Sequence, residues 1–366
     1  MPRSAAAVRC VRPRDLTEHD LGAWRELAAH ALEPNPFFEP ELLVPAAELD
    51  PAARIGLIES GGELIGVAPL HSANRWRRIP GPCLSIWRHG DCFLGTPLLS
   101  AVAPEAAIAA LLAHGRRAGL VAFEWLGTGG PVEAALRTTL DARRIEAVTY
   151  EAFDRAALVR RDEPTYLDGM VSKSRRRELR RLRRQLSELI DAPLEVHDRG
   201  GDDAAVEGFL RAEAAGWKGR EGMAFLRSQA TANLFRQICD GFRSDGRLQL
   251  LVLSAGDIDI AWKVNLIAGD GVFCFKIAYA PEFGPFSPGV QLEIDFVDLF
   301  HGMQSQWSDS CAAPDNEMIN RLWPDRRSLA TLLVPTGGIR GAASRQRVRT
   351  VMAVRNRIRR PHDQVA

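Results

Sequence analysis

Alternating apolar and polar side chains from Ala5 to Arg12 predict a first strand, and Leu21, Trp24, Leu27, Ala28 and Ala31 then recur at the spacing of one helix face. Pro34, Pro36, Pro40 and Pro45 interrupt the next segment, so Glu33 to Pro51 reads as a loop with short helical turns, because an interior proline removes a helical N–H and clashes with the turn before it. Ile55–Glu59 and Leu64–Leu70 flank Ser60-Gly61-Gly62-Glu63, a hairpin signal. A strand region running to Leu99, a helix over Pro104–Arg117, a strand over Val121–Leu126, a helix over Val132–Arg143 and a strand over Glu146–Phe153 are expected next.

The second half repeats this order. A strand is expected at Leu194–His197, helices at Asp203–Ala215 and Gln229–Arg243, and strands at Leu248–Leu253, Ile258–Ile267 and Val272–Ala280. A helix over Ser287–Phe300, a strand over Trp307–Cys311 and a final strand over Leu329–Pro335 close the domain. The economical fold class is α/β (α+β), two copies of one unit, each a mixed, mostly antiparallel twisted sheet flanked by helices. A chain of 366 residues exceeds what one core usually serves. The expected domains are 1–160, 161–338 with a basic helix at 172–190, and a basic C-terminal helix or tail at 339–366.

Charge changes this picture more than composition does. The net charge of +1 hides two basic segments. Ser172–Leu186 holds eight Lys or Arg and one Glu, and Arg340–Arg360 holds eight Arg and no acid; removing their +7 and +8 leaves −14 on the rest. Leu179, Leu182, Leu186 and Leu189 mark the first as an amphipathic helix, and Val348, Val351, Met352 and Ile358 are spread through the second. Such faces call for an anionic contact: the acidic body, a nucleic acid, a lipid surface or an acidic glycan. No apolar run approaches the roughly 18–20 residues that span a bilayer, the N-terminus lacks a signal-peptide core, and a cytoplasmic protein is expected. The six cysteines and eight histidines show no metal-ligand spacing, so no metal site is expected.

The candidate chemistry centres on Phe273–Phe296. A two-residue turn at Gly269-Asp270 places Trp262, Val264 and Leu266 opposite Ile277, Phe275 and Phe273, and on the other face sets Lys263 opposite Lys276 and Asn265 opposite Cys274. Opposed like charges cost about 0.2–1 kcal/mol. A structural carboxylate (Glu293, Asp295 or Asp309) or a bound anion would relieve them. Ser287 suits a helix N-cap, Pro288 the first helical position, and Gly289 a close approach of ligand to backbone amides, which with the helix dipole attract phosphate.

Five phrases resemble the tandem form of the GNAT acyltransferase fold, in its CelD/BcsL-like branch associated with cellulose-biosynthesis loci. They are NPFFEPELL (Asn35–Leu43), SKSRRRELRRLRRQL (Ser172–Leu186), EAAGWKGREG (Glu213–Gly222), FKIAYAPEFGPFSPG (Phe275–Gly289) and DSCAAPDNEMINRLWPDRR (Asp309–Arg327). The resemblance implies two GNAT domains, the second catalytic, with acetyl-CoA or another acyl-CoA as co-substrate and a small-molecule or glycan-linked amine or hydroxyl as acceptor. It implies a central strand that splays from its neighbour, the pantetheine arm running along the exposed edge at Val272–Ala280, and the pyrophosphate held at Phe286, Ser287, Pro288 and Gly289, with Lys276 beside it. The usual pyrophosphate signature, Arg/Gln-x-x-Gly-x-Gly/Ala, is absent. Direct transfer needs a base, an oxyanion donor and an acid for the thiolate. Asp309 is the first candidate for base and Glu293 the second. Tyr279 is an acid or a core tyrosine, and Cys311 is a buried thiol before it is a nucleophile. Lys263 and Asn265 would face the substrate, and Trp217 and Lys218 form either one wall of the acceptor pocket or a capped helix end. Related tandem folds use aminoacyl-tRNA, as in the FemX-like transferases, so the basic helix admits tRNA or a membrane surface as partner, either of an aminoacyl-tRNA-dependent enzyme or of a non-catalytic protein of this fold that binds a nucleic acid or anionic surface.

Overall fold

The computed structural model describes residues 5–162 and 167–359. The last residues of the expected basic tail, 360–366, lie outside them. The chain divides into two compact units, one made of the chain up to Phe153 together with the chain from Ser328 onward, the other of Asp154–Arg327.

The first unit contains β1 (Ala7–Val11), α1 (Glu18–Ala29), α2 (Pro40–Glu48), β2 (Arg54–Ser60), β3 (Glu63–Trp76), β4 (Ile79–Ile86), β5 (Leu98–Leu99), α3 (Pro104–His114), β6 (Leu120–Gly127), α4 (Pro131–Ala142) and the start of β7 (Val148–Val159). Thr17 and Asp20 close a capping box that starts α1. The proline-rich segment holds more helix than expected: α2 starts at Pro40 and keeps Pro45 inside it. Strands β1 to β4 are antiparallel neighbours, and β6 joins β4 in parallel.

The second unit holds α5 (Leu167–Met170), α6 (Lys173–Ile190), β8 (Leu194–Asp198), α7 (Asp203–Ala215), α8 (Trp217–Arg220), α9 (Gln229–Ser244), β9 (Leu248–Ala255), β10 (Ile258–Ala268), β11 (Gly271–Tyr279), α10 (Pro288–Gly302), β12 (Trp307–Asp309), α11 (Glu317–Asn320) and the start of β13 (Asp325–Pro335). Strands β8 to β11 are antiparallel neighbours, and β12 joins β11 in parallel. The pairing scheme of the first sheet thus recurs in the second. In each unit the strand beyond the parallel pair is supplied from a distant part of the chain, antiparallel β7 on β12 and antiparallel β13 on β6. The strand at Leu329–Pro335, expected to close the second domain, therefore belongs to the first. After it, α12 (Gly338–Arg359) buries Val348 against Trp76, Ile79, Leu120 and Leu333, with Val351 and Met352 packed alongside, so these three residues serve the first unit's core.

Aromatic stacks cover one face of the second sheet. Phe209 and Phe235 stack at 4.7 Å and 16°, and Phe235 continues onto Phe275 at 6.4 Å and 11°. At Gly208 a Cβ would lie 2.9 Å from Trp262 Nε1, so only glycine lets α7 come this close to β10. On the other face α10 buries Leu292, Phe296 and Phe300, and Phe296 stacks on Trp323 at 5.8 Å.

Candidate functional site

Strands β11 and β12 pair only where Gly271–Phe273 meets Trp307–Asp309. Beyond that point β12 ends while β11 runs on to Tyr279, so residues 274–279 turn one edge of backbone N–H and C=O groups away from the β12 ladder. The chain then makes a 3₁₀ turn over Pro281–Phe286 and enters α10. Ser287 at the junction is left-handed, φ 54° and ψ 48°, and its side chain makes no cap hydrogen bond, contrary to the cap expected of it. A non-glycine residue held in that region costs of order 1–3 kcal/mol, a strain found more often at ligand sites than elsewhere. The first helical hydrogen bond runs from the Gln291 N–H to the Ser287 carbonyl, so the Gly289 and Val290 amides precede the ladder of α10. The Tyr279 ring lies beside them, about 39% exposed. A Cβ on Gly284 would sit 3.7 Å from its Cε2, and one on Gly289 3.6 Å from its Cδ1. No residue among those described hydrogen-bonds its hydroxyl. The structure thus gathers Tyr279, Ser287, Pro288 and Gly289 at the open end of β11. Phe286 joins them through its backbone: its carbonyl accepts from Gln291 Nε2 at 2.8 Å, while its ring packs on the core.

The basic helix flanks this point. Helix α6 buries Leu179, Leu182 and Leu186 and lies against the 3₁₀ turn. Arg183 reaches α10, its guanidinium 2.8 Å from Asp295 and 3.5 Å from Gln291. Burial raises the Asp295 carboxyl above its ordinary range despite Arg183. On the outer face Lys173, Arg177, Arg180 and Arg181 pair with no carboxylate among the described residues, whereas Arg175 and Arg184 reach Glu178 and Glu188.

Lys263, Asn265 and Glu293 are buried in the core, and a local irregularity parts Lys263 from Lys276. A β-bulge between Val264 and Asn265 shifts the hairpin register: Asn265 faces Cys274 as expected, but Lys263 faces Ile277 and Val264 faces Lys276. The extra residue sends the two lysines to opposite faces. Lys263 is 1% exposed, its Nζ 2.7 Å from Glu293 Oε1 and 4.6 Å from the Phe296 ring centre. Lys276 lies on the other face, 5.2 Å from the ring centre of Phe225 and 5.3 Å from that of Phe275. Asn265 is fully buried and donates to Gln249 at 2.8 Å. Lys263 and Asn265 are therefore core residues, and Glu293 is the counter-ion of a buried cation. Cys274 beside Lys263 is a neutral thiol at physiological pH, since burial pushes it up to about 11, which leaves Glu293 as the partner of Lys263.

Asp309 sits at the vertex of the opening, fully buried, with Arg155 at 2.6 Å and Arg327 at 3.0 Å, and it accepts the Cys311 N–H. Burial alone would raise its carboxyl, but the two guanidiniums outweigh that and hold it below the usual carboxylate range. A carboxylate clamped in this way is a fixed charge, unsuited to collecting a proton. Burial drives the Cys311 thiol well above its ordinary value, so it stays neutral. Trp217 is half exposed, while Lys218 donates to buried Glu213 at 2.9 Å and Glu213 accepts the Phe225 N–H, so Lys218 ties a loop down. Arg155 and Arg327 had a signal in the sequence that went unused, an arginine inside the apolar strand FDRAALV and another in WPDRR.

Residues 173–299 match the family described as acetyltransferase (GNAT) domain. FemX superposes with a TM-score of 0.56 at 11% identity, over 90% of this chain and 97% of FemX. A conserved protein of unknown function from Bacteroides thetaiotaomicron superposes with a TM-score of 0.55 at 12% identity, over 88% of this chain and 98% of its own. L-PGS from Bacillus licheniformis does so with a TM-score of 0.51 at 12% identity, over 90% of this chain and 96% of its own. No curated protein matches the chain in sequence. At such identities the likeness is one of fold, and the chain carries a mixed, mostly antiparallel sheet of the GNAT acyltransferase type in which the matched segment contains β11 and the start of α10.

Proposed function

We propose that the second unit transfers an acyl group from an acyl-CoA to an amine or hydroxyl acceptor, within the CelD/BcsL-like branch of GNAT enzymes. The observation that carries this reading is the parting of β11 from β12 after Phe273, with β11 leading through the 3₁₀ turn to the amides of Gly289 and Val290 ahead of the α10 ladder. A pantetheine arm has amide groups to pair with the parted edge, and a pyrophosphate suits two amides at a helix start. The thioester supplies the activated acyl group. The chain's own residues orient it along β11, and the Tyr279 hydroxyl is the group placed to protonate a departing thiolate. Arg183, which reaches α10 from the inner side of α6, stands near the helix start where the usual pyrophosphate signature is missing. Asp309 and Glu293 are both locked in ion pairs, so the acceptor's proton passes to water, and water returns a proton to Tyr279 after it has protonated the thiolate.

Gly289→Ala tests this. The new methyl group meets only ordinary contacts in the protein, and alanine favours helix over glycine, so the unfolding midpoint should hold or rise. The thermal shift induced by acetyl-CoA should fall and its Kd rise about tenfold, because the methyl occupies the approach to the amides. Unchanged acetyl-CoA affinity in a stably folded Gly289→Ala would remove α10 from the cofactor site.

The outer arginines of α6 favour a second reading, in which the donor is carried by a polyanion such as aminoacyl-tRNA. Converting Lys173, Arg177, Arg180 and Arg181 to glutamine should then lower the slope of log affinity for tRNA against log salt by about three. If acyl-CoA is the donor, the same variant should keep its acetyl-CoA affinity and show no salt-dependent RNA binding to lose.

A further inference from the structure

The first unit repeats the parallel opening of the second, and charged side chains converge on it. Strands β4 and β6 pair only at Leu84–Ser85 with Val121–Ala122 and separate beyond. A cavity of about 230 Å³ lies there, and His71, Arg75, Arg77, Trp87, Arg88 and Glu124 are among its lining residues. Arg77 is neutralised: its guanidinium forks onto Glu151 at 2.9 and 3.0 Å and lies 3.6 Å from Glu124. Glu124 in turn accepts Trp76 Nε1 at 2.8 Å. Arg75 spends its Nε–H on the Arg77 carbonyl and meets no carboxylate among the described residues.

Arg88 is the unusual member. Its guanidinium stacks 3.7 Å from the centre of the Trp125 ring and gives one N–H to the Cys92 carbonyl, yet its Nε is buried without a hydrogen-bond partner. No carboxylate among the described residues comes within ion-pair distance of it. Burial lowers its pKa. A partly buried cation with no carboxylate partner is costly unless something anionic completes it. With two guanidiniums lacking a carboxylate and one carboxylate already taken up by Arg77 and Trp76, the cavity has an excess of positive charge beside flat aromatic walls.

We propose that this cavity binds a small organic anion, a carboxylate or phosphomonoester bearing a planar apolar group, with the anionic oxygens on Arg88 and Arg75 and the planar group against Trp87. Its volume lies below the roughly 300–1,000 Å³ of drug-sized pockets, so the ligand is small or is the head of a longer molecule. The inference is independent of the reaction assigned to the second unit.

The test is calorimetry and tryptophan fluorescence on the full chain with benzoate, phenyl phosphate and inorganic phosphate, with benzamide as the uncharged control. Benzoate or phenyl phosphate should bind saturably and perturb tryptophan emission, and benzamide should not. Whichever of the two anions binds more tightly identifies the head group. Arg88→Met should weaken that binding by about tenfold or more, the scale of a charge-assisted hydrogen bond, while the unfolding midpoint holds, since a costly cation has been removed. Arg75→Gln, at an exposed position, should weaken it several-fold, and Glu124→Gln should tighten it. Equal binding of benzamide, no saturable response to any anion, or an Arg88→Met protein that binds as the parent does would overturn the proposal.

Discussion

Replacing Asp309 by asparagine is expected to cost the second unit about 3–5 kcal/mol, because it leaves two guanidiniums facing a neutral amide in the core. For a unit of this size that is a fall in Tm of about 10 °C. Asp309 is fully buried and Arg155 is 1% exposed, so water cannot stand in for the missing charge. The pH dependence has a definite sign. The folded carboxyl lies below its unfolded value of about 3.9, so its contribution is fully present above that pH and is lost as pH falls through the folded pKa. The gap in Tm between parent and Asp309→Asn should therefore be constant from pH 7 to about pH 5 and narrow on further acidification. A variant that unfolds with the parent but has lost turnover would instead describe a catalytic base, the role that sequence reasoning assigned to Asp309.

What could be seen in the sequence was set by how local the determining physics is. Helix faces and hairpins depend on neighbours within a few residues, and α6, α7, α9 and α10 stand within a residue or two of where their apolar spacing and caps put them. The meeting of the SPG junction with Tyr279 was legible to the same extent, because a strand, a turn and a helix succeed one another directly. Two kinds of information were not local. One is the bulge at Val264/Asn265, which no turn residue announces and which moves Lys263 from a shared face with Lys276 into the core. The other is strand destination. The apolar run Leu329–Pro335 reads as a buried strand wherever it pairs, and its pairing with β6 depends on which sheet edge is vacant. Arg155, Asp309 and Arg327 are far apart in sequence, and each alone looks like an isolated charge in an apolar setting.

Lys263→Met should be as damaging as the loss of Asp309, about 3–5 kcal/mol, since it leaves the buried Glu293 carboxylate with neither oxygen bonded. Glu293 Oε2 already lacks a partner in the parent, so Lys263 alone keeps this carboxylate tolerable. The pair can be removed more safely than either half. Lys263→Met combined with Glu293→Leu fills the same volume with apolar atoms, and the double variant should recover most of the stability, as buried ion pairs replaced whole are often neutral or better. Thermal unfolding of the parent, both single variants and the double variant gives the coupling directly. The double variant also separates structure from chemistry at Glu293. A stable protein that keeps its affinity for acetyl-CoA and its turnover would leave the pair a structural one, while a stable protein with intact affinity and no turnover would return Glu293 to the reaction as its base. Loss of stability in the double variant equal to the sum of the two singles would mean that the lysine and the carboxylate are satisfied by different neighbours, and the electrostatic account of this face of the sheet would fail.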